Sequence, residues 1–341
     1  MKAPGAGGGG DAARIVAGID EAGLGPLLGP LTIGFSVLRL PRGGINIWEE
    51  LSALVARGAR QDTDHIVVAD SKKVYSRNPR GRRRLETTVL GFLAQRSSGP
   101  PRAGADLLRC AAQELRPRAA EIARHPWYAE LPRALPIWTD AERLELRAEA
   151  LRRELERSDI RLLDAGVRLI PAGELNRSFG RTNNKSATVW TRVCSILRHL
   201  WREYAHQGPH VIVDRQGGRF RYARSLEAAF PGTRVRVGYE SPDHSEYLVE
   251  GLAGSADACR SMRLTFAEKA EDRAFSVALA SCIAKYTREL AMVAFNSYFL
   301  ALQPGLAPTA GYTTDGRRWV REAEATLRAQ RIDPELLIRQ R

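Results

Sequence analysis

The chain is poor in cysteine and in long apolar runs. Its four cysteines, Cys110, Cys194, Cys259 and Cys282, lie far apart and form no Cys-x-x-Cys pair. That excludes a thiolate zinc knuckle and a disulfide framework, and it leaves reduced, mostly packed thiols. No stretch reaches the roughly 18 apolar residues of a membrane span, so no membrane-spanning role is expected. Residues 1–13 are small and glycine-rich and lack the apolar centre of a signal peptide. A disordered tail and a cytoplasmic location are expected. Acid is the scarcer charge, with 39 Asp+Glu against 52 Lys+Arg and a net +13. That balance favours a polyanionic partner, nucleic acid first and an anionic membrane surface second.

Apolar alternation predicts strands over Arg14–Asp20, Leu31–Leu40, Ile66–Asp70, Gly166–Pro171 and His210–Asp214. Further strand-like runs are Arg234–Glu240, Tyr247–Gly251 and Met262–Lys269. Helical periodicity marks Arg82–Gln95, Asn184–His206, Asp272–Leu300 and Asp315–Gln330. Strands alternating with helices imply an α/β layer fold. Between them, residues 97–160 turn rich in Arg, Glu, Ala and Leu, and Thr139-Asp-Ala-Glu142 has capping-box spacing. The expected organisation is one catalytic domain, 14–96 and 161–341, interrupted by a helical insertion at 97–160.

The chemistry concentrates at strand ends. Asp20 and Glu21 close the first strand where it enters Gly23-Leu24-Gly25-Pro26-Leu27-Leu28-Gly29-Pro30. Asp214 ends Val211-Ile-Val, and Glu271 stands where a strand meets the long helix. A single strand-end acid is a common turn residue or helix cap; the constellation carries the argument. Four converging carboxylates repel and call for divalent cations, and hard oxygen donors suit Mg²⁺ or Mn²⁺. Two such ions roughly 3.5–4 Å apart can activate water and stabilise a leaving oxygen of a phosphodiester. Because neighbouring strand residues face opposite ways, Asp20 and Glu21 share a site only if the chain turns at Glu21. The glycine spacing, broken by two prolines, does not fit a dinucleotide fingerprint.

Asp20-Glu-Ala-Gly-Leu-Gly-Pro, Asp70-Ser-Lys-Lys, Val211-Ile-Val-Asp214 and Ser281-Cys-Ile-Ala-Lys-Tyr-Thr-Arg288, in that order, resemble the type 2 ribonucleases H (ribonucleases HII and HIII). The resemblance spans about 14–70 and 166–341 and omits the insertion. It implies a ribonuclease H-like α/β fold, with a mixed central sheet flanked by helices and a C-terminal helical segment. It also implies hydrolysis of RNA in RNA–DNA hybrids or at ribonucleotides embedded in DNA, by a monomer. Asp20, Glu21, Asp214 and Glu271 become the catalytic, metal-holding acids; a Glu in the last place is the HIII form. Gly23, Leu24, Gly25, Ser71, Lys72, Lys285 and Tyr312 become the substrate contacts, with Tyr312 packing on a sugar. Leu24 departs from the family's Gly-Arg-Gly or Gly-Lys-Gly, so a cationic phosphate contact is lost there.

The residues themselves leave alternatives. Lys285 could neutralise the acids or touch a phosphate, on one stripe with Glu271 and Ala278. Asn184 could cap its helix or help a phosphate site. Trp127, Tyr128 and Trp138 could stack on bases or pack the insertion. Asp243, His244 and Glu246 have no assigned place. The rival functions are a nucleic-acid-binding protein with little catalysis and a DNA nuclease or resolvase on the same scaffold.

Overall fold

Two alternating runs make the centre of the sheet: β1 (Arg14–Ala22) pairs antiparallel with β2 (Leu31–Leu40), Asp20 opposite Gly34. The computed structural model describes residues 14–43, 45–58, 65–96, 99–129, 131–215 and 217–340; the expected tail at 1–13 lies outside them. Two short strands, β3 (Val55–Ala56) and β4 (Ile66–Val67), pair only with each other. The remaining strands are β5 (Arg161–Ile170), β6 (His210–Asp214), β7 (Thr233–Glu240), β8 (His244–Gly251) and β9 (Ser261–Ala267). The main sheet has the order β5-β2-β1-β6-β9-β8-β7. Its middle strands β1, β6 and β9 are parallel, and the pairings outside them are antiparallel. This is the mixed central sheet that the resemblance implied.

The helices are α1 (Ile47–Glu50), α2 (Ser71–Val74), α3 (Pro79–Leu93), α4 (Gly104–Arg109), α5 (Ala119–Arg124) and α6 (Ala141–Arg157). They continue with α7 (Ala172–Thr182), α8 (Lys185–Tyr204), α9 (Ala223–Ala229), α10 (Phe275–Leu302) and α11 (Thr313–Ala329). Residues Ile15, Ala17 and Ile19 pack on the α8 side with Val189, Val193 and Leu197. The opposite face receives α10, the most apolar helix of the chain. Gly18 and Gly34 set how close it comes. A Cβ on Gly18 would meet the Ser276 carbonyl carbon at 2.1 Å, and one on Gly34 would meet the Ala280 oxygen at 2.2 Å. Small polar side chains then reach the helix backbone directly: Thr32 Oγ1 donates to Ala284 O and Ser36 Oγ to Ser276 O, both at 2.8 Å. Ala278, Ala280 and Ala284 are fully buried in that seam.

The 97–160 segment shares the core of α3 and α10 through Leu107, Leu144, Leu151 and Leu155. A buried carboxylate fastens it: Glu86 of α3 accepts from the backbone N–H of Ile137, Trp138 and Thr139 and from Tyr286 Oη of α10 at 2.6–2.9 Å. Four donors satisfy a charge that burial would otherwise penalise. Trp127 and Tyr128 are buried, and Trp127 packs on Phe295, Tyr298 and Phe299 of α10. They pack the segment and are not open to bases. α11 and the chain end cover the same end of α10 through Trp319, Ala323 and Leu337, the C-terminal helical segment expected.

Three local readings are corrected. The run Ile66–Asp70 pairs only at Ile66–Val67, because Asp70 leaves the strand to cap α2, its carboxylate accepting from Lys72 N at 3.0 Å. Ser71, Lys72 and Lys73 therefore stand on a helical turn. Asp140, not Thr139, caps α6, accepting from Arg143 N at 2.9 Å. The long helix starts at Phe275. Lys269 at φ 53° and the extended Ala274 interrupt it, so Glu271 sits in a separate 3₁₀ turn, Ala270–Asp272.

Candidate metal-binding site at the ends of three parallel strands

Parallel β1, β6 and β9 end on one edge, where open α/β sheets place their sites. The register Ile19↔Val213 sets Asp20 level with Asp214, and Asp214 lies opposite Ala267 of β9. Beyond Ala267 the 3₁₀ turn brings the chain back, and Ala270 N donates to Asp214 Oδ1 at 3.0 Å. Glu271 is thereby delivered close enough to Asp214 for the two carboxylates to repel. The turn expected at Glu21 is absent: β1 runs on through Ala22. Asp20 Oδ1 instead accepts from the Glu21 N–H at 2.7 Å.

All four carboxylates feel one another. Burial, and then the charges of Glu21, Asp214 and Glu271, hold Asp20 well above the usual carboxylate range. Burial first and then Asp214 push Glu21 up to about 7, with Lys72 acting the other way. Asp214 is raised to about 7 by burial; the Ala270 N–H opposes this and Glu271 reinforces it. Glu271 Oε2 is buried and has no hydrogen-bond partner among the described residues. Buried, mutually repelling oxygens with an unsatisfied lone pair are the donor set of a hard divalent cation. The cage is not ready-made: among the described residues no three Asp, Glu, His or Cys side chains stand so that they could hold an ion as they are.

Ser281 joins two of the sequence motifs. It contacts Asp20 and bonds Ser71 Oγ at 3.1 Å, while Ser71 N donates to it at 3.3 Å. Cys282 Sγ donates to Ala69 O at 3.4 Å. Ser71 is buried and its Oγ accepts from Ser281, so it steadies the site from within and does not stand open to a phosphate. Lys72 is exposed and close enough to oppose the charge of Glu21 and Asp214. Lys285 is corrected: its Nζ bonds Glu289 Oε1 at 2.6 Å and stands 4.4 Å over the Tyr75 ring. The acid four residues along takes the charge that the sequence reading gave to the site. Asp243, His244 and Glu246 are not among the leading causes of the acids' shifts; the His244 ring lies tilted by 34° against Tyr239, centroids 4.8 Å apart. Asn184 caps α8, accepting from Ala187 N at 3.0 Å.

The glycine turn beside the acids is held from below. Gly23 takes φ 89°, and a Cβ there would meet Arg288 Cδ at 2.6 Å. Leu24 is half-buried, lines a crevice with Leu31, Leu175, Phe179 and Val189 and packs against the core on the α8 side, which accounts for an apolar residue at this place. Gly25 is open to solvent. Tyr312, exposed, caps the start of α11, with the Arg288 guanidinium 5.6 Å from its ring centre. Leu27 N and Leu28 N donate to Gly311 O at 2.7 and 3.0 Å, tying this segment to the turn.

Sequence reasoning missed Arg339. It is buried, and its Nε and Nη2 donate to Gly29 O at 2.9 and 2.7 Å while Nη1 donates to Gly23 O. Burial first, then Arg288, lowers its pKa to about 9. Nothing near the chain end signalled this contact. Arg288 was signalled, since it closes the Ser281–Arg288 motif.

No protein-family profile matches the chain, and no curated protein matches it in sequence. Solved structures similar to it include ribonuclease H2 from Pyrococcus horikoshii OT3, at 17% identity over 95% of this chain and 92% of that one, TM-score 0.44. A complex of PCNA and RNase HII from Archaeoglobus fulgidus is similar at 17% identity over 96% and 94%, TM-score 0.40. Bst-RNase HIII in complex with Mn²⁺ is similar at 14% identity over 95% and 66%, TM-score 0.39.

Proposed function

We propose that this chain is a metal-dependent endoribonuclease that cuts RNA in RNA–DNA hybrids or at ribonucleotides embedded in DNA. The observation that carries this reading is the mutual repulsion of Asp20, Glu21, Asp214 and Glu271, gathered from three separate segments onto one strand edge. These four would hold the cations. A bound pair of Mg²⁺ or Mn²⁺ ions supplies water activation and stabilises the leaving 3′ oxygen, which leaves a 3′-hydroxyl and a 5′-phosphate.

The chain's own groups do the rest. Lys72 offsets the anionic edge and meets a phosphate. The turn at Gly23 and Gly25, unshielded by side chains at the two glycines, lets backbone groups approach a 2′-hydroxyl, the mark that separates RNA from DNA. Tyr312 offers an exposed ring to the sugar beside it. Leu24 packs on the core and carries no charge or donor, so discrimination falls on the backbone and Tyr312.

The test is cleavage of three labelled duplexes, RNA–DNA hybrid, DNA with one ribonucleotide and all-DNA, with Mg²⁺ or Mn²⁺. The expected result is cutting of one or both ribonucleotide-containing duplexes, with 5′-phosphate ends, and none of all-DNA. Binding without cutting in either ion points to the nucleic-acid-binding alternative. Equal cutting of all-DNA points to a DNA nuclease.

A further inference from the structure

The strongest unexplained feature is a band of arginines at the start of α3. Residues 72–84 hold seven Lys or Arg and no Asp or Glu. Lys73 has a partner in Asp272, and Arg82 lies against Tyr75 and Trp138. Arg77, Arg80 and Arg83 are exposed, and among the described residues none of them makes an ion pair. A helix start favours acids, because its unpaired N–H groups carry partial positive charge. The first turn of α3 has no acid. Burial first and then Arg80 lower the pKa of Arg84, a direct sign that these cations strain one another. This charge works against the helix that carries it.

The base of the band is rigid. Asn78 Oδ1 accepts from Gly81 N at 2.8 Å and from Ser76 Oγ at 3.0 Å. Pro79 opens the helix, and Gly81 packs so tightly that a Cβ would meet Ser76 N at 2.4 Å. A pre-set array loses little freedom on binding. It is also continuous with the site. Lys72, which acts on Glu21 and Asp214, is on the helical turn just before it. A groove walled by Arg77 and Arg82 on one side runs to Thr309 and Ala310 on the other, two residues short of Tyr312.

We propose that Arg77, Arg80 and Arg83 form a second, charge-only contact with a nucleic-acid duplex, gripping backbone phosphates where the duplex runs past the candidate site. The partner follows from the chemistry: a fixed row of unpaired guanidiniums matches a repeating phosphate backbone and reads no sequence. This rests on the proposed function only in supposing that one duplex spans both places.

The test is equilibrium binding of fluorescent duplex, all-DNA and hybrid, in EDTA across a salt series, which requires no catalysis. Arg80→Gln/Arg83→Gln is expected to make the slope of log affinity against log salt shallower by about two, one per lost phosphate contact. Affinity near physiological salt should fall several-fold on both duplexes, with the thermal midpoint unchanged or raised. Arg152→Gln/Arg153→Gln removes equal charge from α6 and is expected to leave the slope as it was. An unchanged slope in the α3 variant, or an equal loss in the α6 control, overturns the proposal. A wild type that cuts nothing while the α3 slope falls overturns the proposed function and leaves this surface standing.

Discussion

Asp20→Asn is expected to reduce cleavage by more than about a hundredfold, beyond the loss that changes around a metal's ligands cause, while stabilising the cation-free protein at alkaline pH. Asparagine keeps the shape and still accepts the Glu21 N–H that Asp20 Oδ1 accepts at 2.7 Å. It removes a buried acid whose ionisation burial, Glu21 and Asp214 all oppose. The pH sign follows from linkage. Glu21 and Asp214 are each pushed up to about 7 in the folded protein, from ordinary values of 4.5 and 3.8. Between about pH 4 and pH 7 the folded state therefore holds protons that the unfolded chain has released, and stability falls as pH rises through that window. In EDTA the wild type should lose thermal midpoint from pH 5 to pH 8, and Asp20→Asn should lose less. Adding Mg²⁺ or Mn²⁺ should raise the wild type more at pH 8 than at pH 5, since binding favours the ionised carboxylates. Thermal melts of both proteins at the two pH values check this. A variant that cuts at the wild-type rate, or a wild type whose midpoint in EDTA ignores pH relative to the variant, contradicts the account.

Gly18→Ala is expected to cost about 3 kcal/mol or more, at the upper end of overpacking. The added methyl would lie 2.1 Å from the Ser276 carbonyl carbon and 2.2 Å from Val277 N. Both are backbone atoms of α10, so no side chain can swing aside. The helix must lift from β1, and with it goes Ser281, which bonds Ser71 and contacts Asp20. Urea denaturation measures the loss, and cleavage by the folded fraction should fall as well. Gly25→Ala, where a Cβ meets nothing within 4 Å, is the control and should stay within about 0.5 kcal/mol of wild type. A Gly18→Ala protein as stable as the control would mean that helix and sheet do not pack this closely.

What was legible in the sequence was local. Strand alternation around Ile15–Ile19 and Val211–Val213, each ending in acid, marks an edge without any knowledge of its neighbours. The parallel register that sets Asp20 beside Asp214 is a property of the sheet, and nothing in either run encodes it. The alternation argument demanded a turn at Glu21. The structure keeps the strand straight to Ala22 and still exposes both carboxylates to Asp214, because charges interact through space at a strand's end without sharing a face. Lys285 was misread despite a local signal: Glu289, one helical turn on, was in plain view. Arg339 had no local signal, being more than 300 residues from the carbonyls of Gly23 and Gly29 that it holds. Contacts of that range are set by how the chain end crosses α10 and the glycine turn, which no periodicity reports. Trp127 shows the same limit: an aromatic in a polar stretch reads equally as a base platform or a core residue, and only Phe295 and Phe299 decide it.

The central claim is that folding gathers four distant acids into one cation-holding pocket. Diffraction from crystals soaked in Mn²⁺, read by its anomalous signal, tests it most directly. The account predicts density between Asp20 and Asp214, with Glu21 or Glu271 turned onto it. No signal there at saturating Mn²⁺, or ions bound only elsewhere, would contradict it.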